Sequence, residues 1–209
     1  MSALTVGVDV GQVHDPTAIA VAEATPSVHA GRGEDRYIVR HLERLPLGTP
    51  YPQVGERLAA IVAGARRRNP GVTLYMDATG VGRPVVDLLT QAGMRPHAVY
   101  FVAGDDLVVR PDGSIALGKG WLVSRLQALL HAGRLSLPHT PEARALASEL
   151  LTYEIRVRPN GGTSFGAFRA GTHDDLVTAV GLAVVDARSR PVQQRREGRM
   201  TAWDQSRSA

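Results

Sequence analysis

The 209-residue chain contains no cysteine, which excludes disulfides and thiolate metal sites, and no apolar run approaches the ~18 residues a membrane-spanning helix needs. The formal charge of +4 comes wholly from the C-terminal end, where Arg188, Arg190, Arg195, Arg196, Arg199 and Arg207 face only Glu197 and Asp204. Residues 1–187 carry no net charge, which leaves room for both a basic face and an acidic pocket.

In chain order, "LTVGVDV" and "TAIAVAE" read as strands about the turn-like "GQVHDP", and "RYIVRHLERL" as a third strand. Short links between them predict an antiparallel meander. "YPQVGERLAAIVAGARRRN" has apolar spacings of three and four and closes on arginines before "NPG", as the carbonyl end of a helix favours. "VTLYMDATG", "VGRPVVDLLTQAG" and "HAVYFVAG" follow as strand, helix and strand, the pattern of a parallel crossover. "GKGWLVSRLQALLHAG" and "TPEARALASELLTYE" are amphipathic helices, and "EIRVRPNGGTSFGAF" is a hairpin about "PNGG". In "GTHDDLVTAVGLAVVDAR" a polar start precedes a nearly all-apolar helix that should pack on the sheet. The expectation is one α/β domain over residues 1–187: a mixed sheet flanked by helices, with an inserted helical segment and hairpin. Its polar, arginine-rich tail, residues 188–209, reads as a disordered arm. The N-terminus lacks the order of a signal peptide.

Three acidic stations stand at ends of apolar elements: Asp9, Asp77, and the pair Asp174 and Asp175. The meander-then-crossover topology puts the first strand centrally with the Asp77 strand beside it, and a final helix across the sheet brings the aspartate pair to the same edge. Carboxylates gathered there repel unless a cation neutralises them. Mg²⁺ or Mn²⁺ is suited to oxygen ligands, and two such ions can activate water and stabilise the leaving oxygen of a phosphodiester. Each station has a plainer reading. Asp9 is also an ordinary strand-end acid, Asp77 an N-cap before a helix, and Thr172 with Asp175 a capping box. On the helical wheel Asp175 stands above Ala179 and Ala183, which predicts it as the inner ligand, with Asp174 a second ligand or water-holding neighbour and His173 a capping neighbour. "GSIALGKG" matches a phosphate-binding loop up to Lys119, then fails at Gly120, where a Ser or Thr is needed.

"VGVDVGQVHDPTAIAV", "LYMDATGVGRPVVDLL" and "GTHDDLVTAVGLAVV" resemble the three acidic motifs of the nuclease domain of phage large terminase subunits, which has a ribonuclease H-like fold. The resemblance runs from about Leu4 to Ala187. It implies a metal-dependent endonuclease that cuts double-stranded viral DNA during genome packaging, using two Mg²⁺ or Mn²⁺ ions held by Asp9, Asp77, Asp174 and Asp175. It also implies a packaging ATPase motor, a small terminase subunit and a portal as partners, in the host cytoplasm at the procapsid. Two features depart from the pattern: Thr178 stands where family members often carry a further acid, and the sequence contains no motor. Lys119, Arg156 and Arg158 are the expected phosphate contacts, the two arginines alternating on one hairpin strand. The rival readings are a Holliday-junction resolvase-like nuclease and a non-catalytic DNA-docking module.

Overall fold

The computed structural model describes residues 2–11, 13, 15–25, 35–157, 163–166 and 173–185, the strands at 154–157 and 163–166 by their backbone alone. Arg158, Thr172 and the arm at 188–209 lie outside the described residues, as does the side chain of Arg156.

The meander forms as the alternation predicts. Strand β1 (Ala3–Asp9) pairs antiparallel with β2 (Ala18–Thr25), and β2 with β3 (Arg36–Arg44). Helix α1 (Tyr51–Arg68) follows, its last turn carrying Arg66, Arg67 and Arg68 against the carbonyl end of the helix dipole. The crossover is also present: β4 (Val72–Asp77), α2 (Gly82–Gln91) and β5 (His97–Val102), with β4 parallel to both β1 and β5. The chain continues through β6 (Leu107–Val109), β7 (Ile115–Gly118), α3 (Lys119–His131), β8 (Leu135–Ser136) and α4 (Pro141–Thr152). The Thr140 hydroxyl caps α4 by accepting from the Ala143 N–H. The hairpin β9 (Glu154–Val157) and β10 (Thr163–Gly166) precedes α5 (Asp175–Ala183).

Among the described residues the main sheet has eight strands in the order β6-β7-β5-β4-β1-β2-β3-β8, with five helices beside it. This is a mixed α/β sheet of the ribonuclease H-like class. Residue parity divides its two faces. Leu4, Val6, Val8, Ile19, Val21, Leu74 and Met76 point toward α1 and α2. Ala18, Ala20, Ala22 and Tyr75 point the other way, into a core with α3, α4 and α5. The small residues on that second face let α5 lie directly on β1 and β2, where every residue from Asp175 to Ala183 is buried. No helix among the described residues is long and apolar enough to cross a membrane.

Candidate active site

Strand register accounts for the convergence of the acids. Val8 is level with Met76 on the parallel strands β1 and β4, so Asp9 and Asp77 end neighbouring strands at the same edge of the sheet. Both share the parity of the α5 face, Asp9 following Gly7 and Asp77 following Tyr75 by two residues. Strand β7 runs parallel to β5 and delivers Lys119 to this edge as the first residue of α3. The carboxyl ends of parallel strands are where open α/β sheets present their sites. Helix α5 adds Asp174 and Asp175 from above. The result is a cleft of about 490 Å³ lined by Asp9, Asp77, Asp174, Asp175 and Lys119, with Val13 and Val81 at its mouth.

The electrostatics of the cleft are unbalanced toward negative charge. Desolvation pushes the Asp9 carboxyl well above the usual carboxylate range, and the charges of Asp77, Asp174 and Asp175 push it further against the opposing pull of Lys119. Asp77 is also raised, chiefly by desolvation, although its Oδ1 accepts the Thr79 N–H at 2.7 Å. Burial raises the Tyr153 phenol, with Asp174 and Asp9 adding to the shift, so its hydroxyl keeps its proton. Lys119 places Nζ 3.2 Å from Asp174 Oδ2 and 5.4 Å from the centre of the Phe101 ring. The loop leaving Asp9 is tied by Thr17, whose hydroxyl accepts from Gly11 N–H and donates to Gly11 C=O.

The plainer readings of the acids differ from these contacts. Asp77 does not cap α2, whose N-cap is Val81; its carboxylate closes a turn onto Thr79 instead. Asp175 opens α5 with its carboxylate turned to Arg44, which donates from Nε to Oδ2 at 2.7 Å and from Nη2 to Oδ1 at 3.0 Å. Asp175 is the more buried member of the pair, at 3% exposure, as the wheel predicts. Yet both its oxygens are engaged, and Asp174 presents its carboxylate to Lys119. His173 Nδ1 lies 3.3 Å from the Oδ1 of Asp15, a further carboxylate that lines the same cleft. Thr178, at the position of the missing acid, is buried within α5. Arg44, Glu149 and Tyr153 were not foreseen: their partners lie far away along the chain, 131 residues for Arg44 and Asp175. Among the described residues, no three acidic or imidazole groups stand close enough to form a ready-made cation cage.

Comparison with solved structures decides the fold type. The chain superposes on the large terminase nuclease from thermophilic phage G20c with a TM-score of 0.61, 20% identity, and coverage of 87% of this chain and 81% of that one. The fold is that of a large-terminase nuclease domain. The Thermus phage P74-26 large terminase nuclease domain gives a TM-score of 0.60 at 18% identity, covering 92% of this chain and 84% of that one. The HK97 bacteriophage large terminase gives 0.55 at 16% identity, covering 88% of this chain but 39% of that one. The G20c nuclease is also known with bound magnesium and with bound cobalt. No family model matches the sequence, and no curated protein matches it. The terminase-nuclease fold therefore emerges from three-dimensional likeness, beneath the level of sequence identity that would carry residue roles across.

Proposed function

We propose that the chain is a divalent-metal-dependent endonuclease that cuts double-stranded viral DNA in genome packaging. The observation that carries this reading is the meeting of Asp9, Asp77 and Asp174 with Lys119 in one cleft of a terminase-nuclease fold. The donors fit a hard cation. They are carboxylate oxygens alone, they outnumber the cationic side chains facing them, and Asp9 is raised first by desolvation and then by the neighbouring carboxylates, a burden that a bound cation would relieve. The known magnesium and cobalt forms of the G20c nuclease support the same assignment.

Asp9, at the end of the central strand, would hold the metal together with Asp77 and Asp174, with Asp175 behind Asp174. When bound, two Mg²⁺ or Mn²⁺ ions supply Lewis acidity to the attacking water and to the leaving oxygen of the phosphodiester. The ammonium of Lys119 is placed to exchange Asp174 for a phosphate oxygen as the backbone enters, a charge-assisted contact. The Tyr153 hydroxyl, near enough to Asp174 and Asp9 to feel their charge, stays protonated throughout the working pH range. Arg156 and Arg158, the alternating arginines of the sequence "EIRVRPNGG", would add phosphate contacts that are blind to sequence. The catalytic partner in packaging is an ATPase motor, carried in the same chain or on another polypeptide, with a small subunit and portal completing the assembly.

The test is nicking and linearisation of supercoiled plasmid in Mg²⁺ or Mn²⁺. Wild type should cut, chelation should stop it, and Asp9→Asn, Asp77→Asn and Asp174→Asn should each lose at least about 100-fold, the scale of losing a metal-held reacting group. Equal cutting by wild type and variants would remove the assignment.

A further inference from the structure

Arg44 is a cation at the cleft that the cleavage reading does not use. It leaves the sheet on the same cross-strand row as Asp9, since Asp9 is opposite Ala18 and Ala18 is opposite Arg44. Its guanidinium grips both oxygens of Asp175, and Nη2 also donates to Glu149 Oε1. The other oxygen of Glu149, Oε2, accepts the Val177 N–H at 3.1 Å, one of the first-turn donors of α5 that has no partner within the helix. Three elements, β3, α4 and α5, are thus locked at one point. Glu149 is only 7% exposed, and burial with the nearby Asp175 charge pushes its carboxyl up to about 7 despite Arg44. Such a network is costly to bury and holds only when its geometry is satisfied. Here it is bidentate and fully engaged.

We infer that Arg44, held by Glu149, is a positioning residue of the acidic site: by fixing Asp175 it sets the rotation of the first turn of α5 and so aims Asp174 at Asp9 and Asp77. Asp174 is the N-cap directly before Asp175, so with Asp175 pinned toward β3 the position of its neighbour is fixed as well, at the cleft where Lys119 meets it. The inference rests on the metal-binding reading above and deepens it. It also separates two roles that the sequence alone leaves merged, since Asp174 faces the ligand and Asp175 holds the helix.

The sign of the effect distinguishes positioning from simple charge balance. A bare counter-ion at this distance repels a divalent cation, so its removal would tighten metal binding; a positioning residue gives the opposite result. Calorimetric titration with Mn²⁺ alone, without DNA, reads this directly. Arg44→Gln should bind Mn²⁺ about tenfold more weakly than wild type, and Glu149→Gln should weaken binding in the same direction. Arg44→Lys, which keeps the charge but not the two-pronged grip, should fall between wild type and Arg44→Gln. The double variant Arg44→Gln/Asp175→Asn should be no weaker than the poorer single one, because both disable one device. Thermal melting establishes that each variant is folded, and Arg44→Lys and Glu149→Gln serve if Arg44→Gln is not. Folded Arg44 and Glu149 variants that bind Mn²⁺ as tightly as wild type or more tightly would overturn the inference. An Asp9→Asn protein that binds Mn²⁺ like wild type would instead overturn the metal-site reading beneath it.

Discussion

Asp9 holds a charge that the fold alone does not want. Its carboxyl is raised by desolvation and by three neighbouring aspartates, with Lys119 the opposing influence. The unfolded chain ionises Asp9 near pH 3.9. Below that pH both states keep the proton and the residue costs nothing. As pH rises toward the elevated folded value, the unfolded state sheds its proton first, and stability is lost through that window. Asn is nearly the same shape and carries no charge, so Asp9→Asn should be more stable than wild type at pH 7.5 in chelator. A rise in Tm of more than about 2 °C is the expectation, the smallest shift that about 1 kcal/mol produces in a domain of this size. The gap should close as pH falls to 4. Added Mn²⁺ should reverse the order by stabilising wild type alone, because only that protein offers the cation its central donor. Thermal melts over pH, with and without metal, check both halves, and a wild type more stable than Asp9→Asn in chelator at pH 7.5 would contradict the uncompensated charge.

Helix α5 can deliver its aspartates only by lying close to β1, and Gly7 is what permits it. A Cβ at Gly7 would run into the backbone of α5, at the Ala179 oxygen and the Ala183 nitrogen. A Cβ at Gly181 meets the Leu122 side chain instead. Backbone cannot step aside without carrying the helix with it, whereas a leucine can change rotamer. Gly7→Ala should therefore cost about 3 kcal/mol, the upper part of the overpacking range, and Gly181→Ala distinctly less. Denaturant titration measures both, and equal losses would show that α5 shifts as easily as Leu122. The packing device was half legible: "TVGVDVG" and "GLAVV" display the small residues, but only the register shows which face Gly7 occupies. The same holds more widely for the elements. The meander, the crossover and the long helices follow from alternation and from spacings of three and four. Strands β6, β7 and β8 span only three, four and two residues, too short for any period to show, and none was foreseen. The acidic stations were legible because each borders a strong apolar run, Asp9 and Asp77 at its end and the aspartate pair at its start. Arg44 and Glu149 were not, since an arginine ending a strand and a glutamate within an amphipathic helix look like solvated surface until the tertiary fold sets them against Asp175.

At the scale of the whole molecule, a domain that cuts DNA as proposed must hold a polyanion despite its acidic cleft, and the charge arithmetic bears on how. Residues 1–187 have no net charge, so attraction to duplex DNA has to come from local patches such as Lys119 or from the arginines from Arg188 onward. Each phosphate neutralised steepens the dependence of log affinity on log salt by about 0.9. If the arm supplies the bulk attraction, deleting residues 188–209 should flatten that slope by up to about 5 and weaken binding most at low salt. The cleft would be untouched, so plasmid cutting at saturating protein should persist in the shortened chain. Lys119→Ala should do the reverse: it changes the slope by about one unit at most, yet lowers the cutting rate, because its ammonium meets the phosphate at the acidic site rather than the duplex at large. Fluorescence anisotropy on a labelled duplex in Ca²⁺, across 50–200 mM salt, gives the slopes, and plasmid assays give the rates. A shortened chain with an unchanged slope would assign the duplex to the body of the domain, and Arg156 and Arg158 would then be the next residues to neutralise.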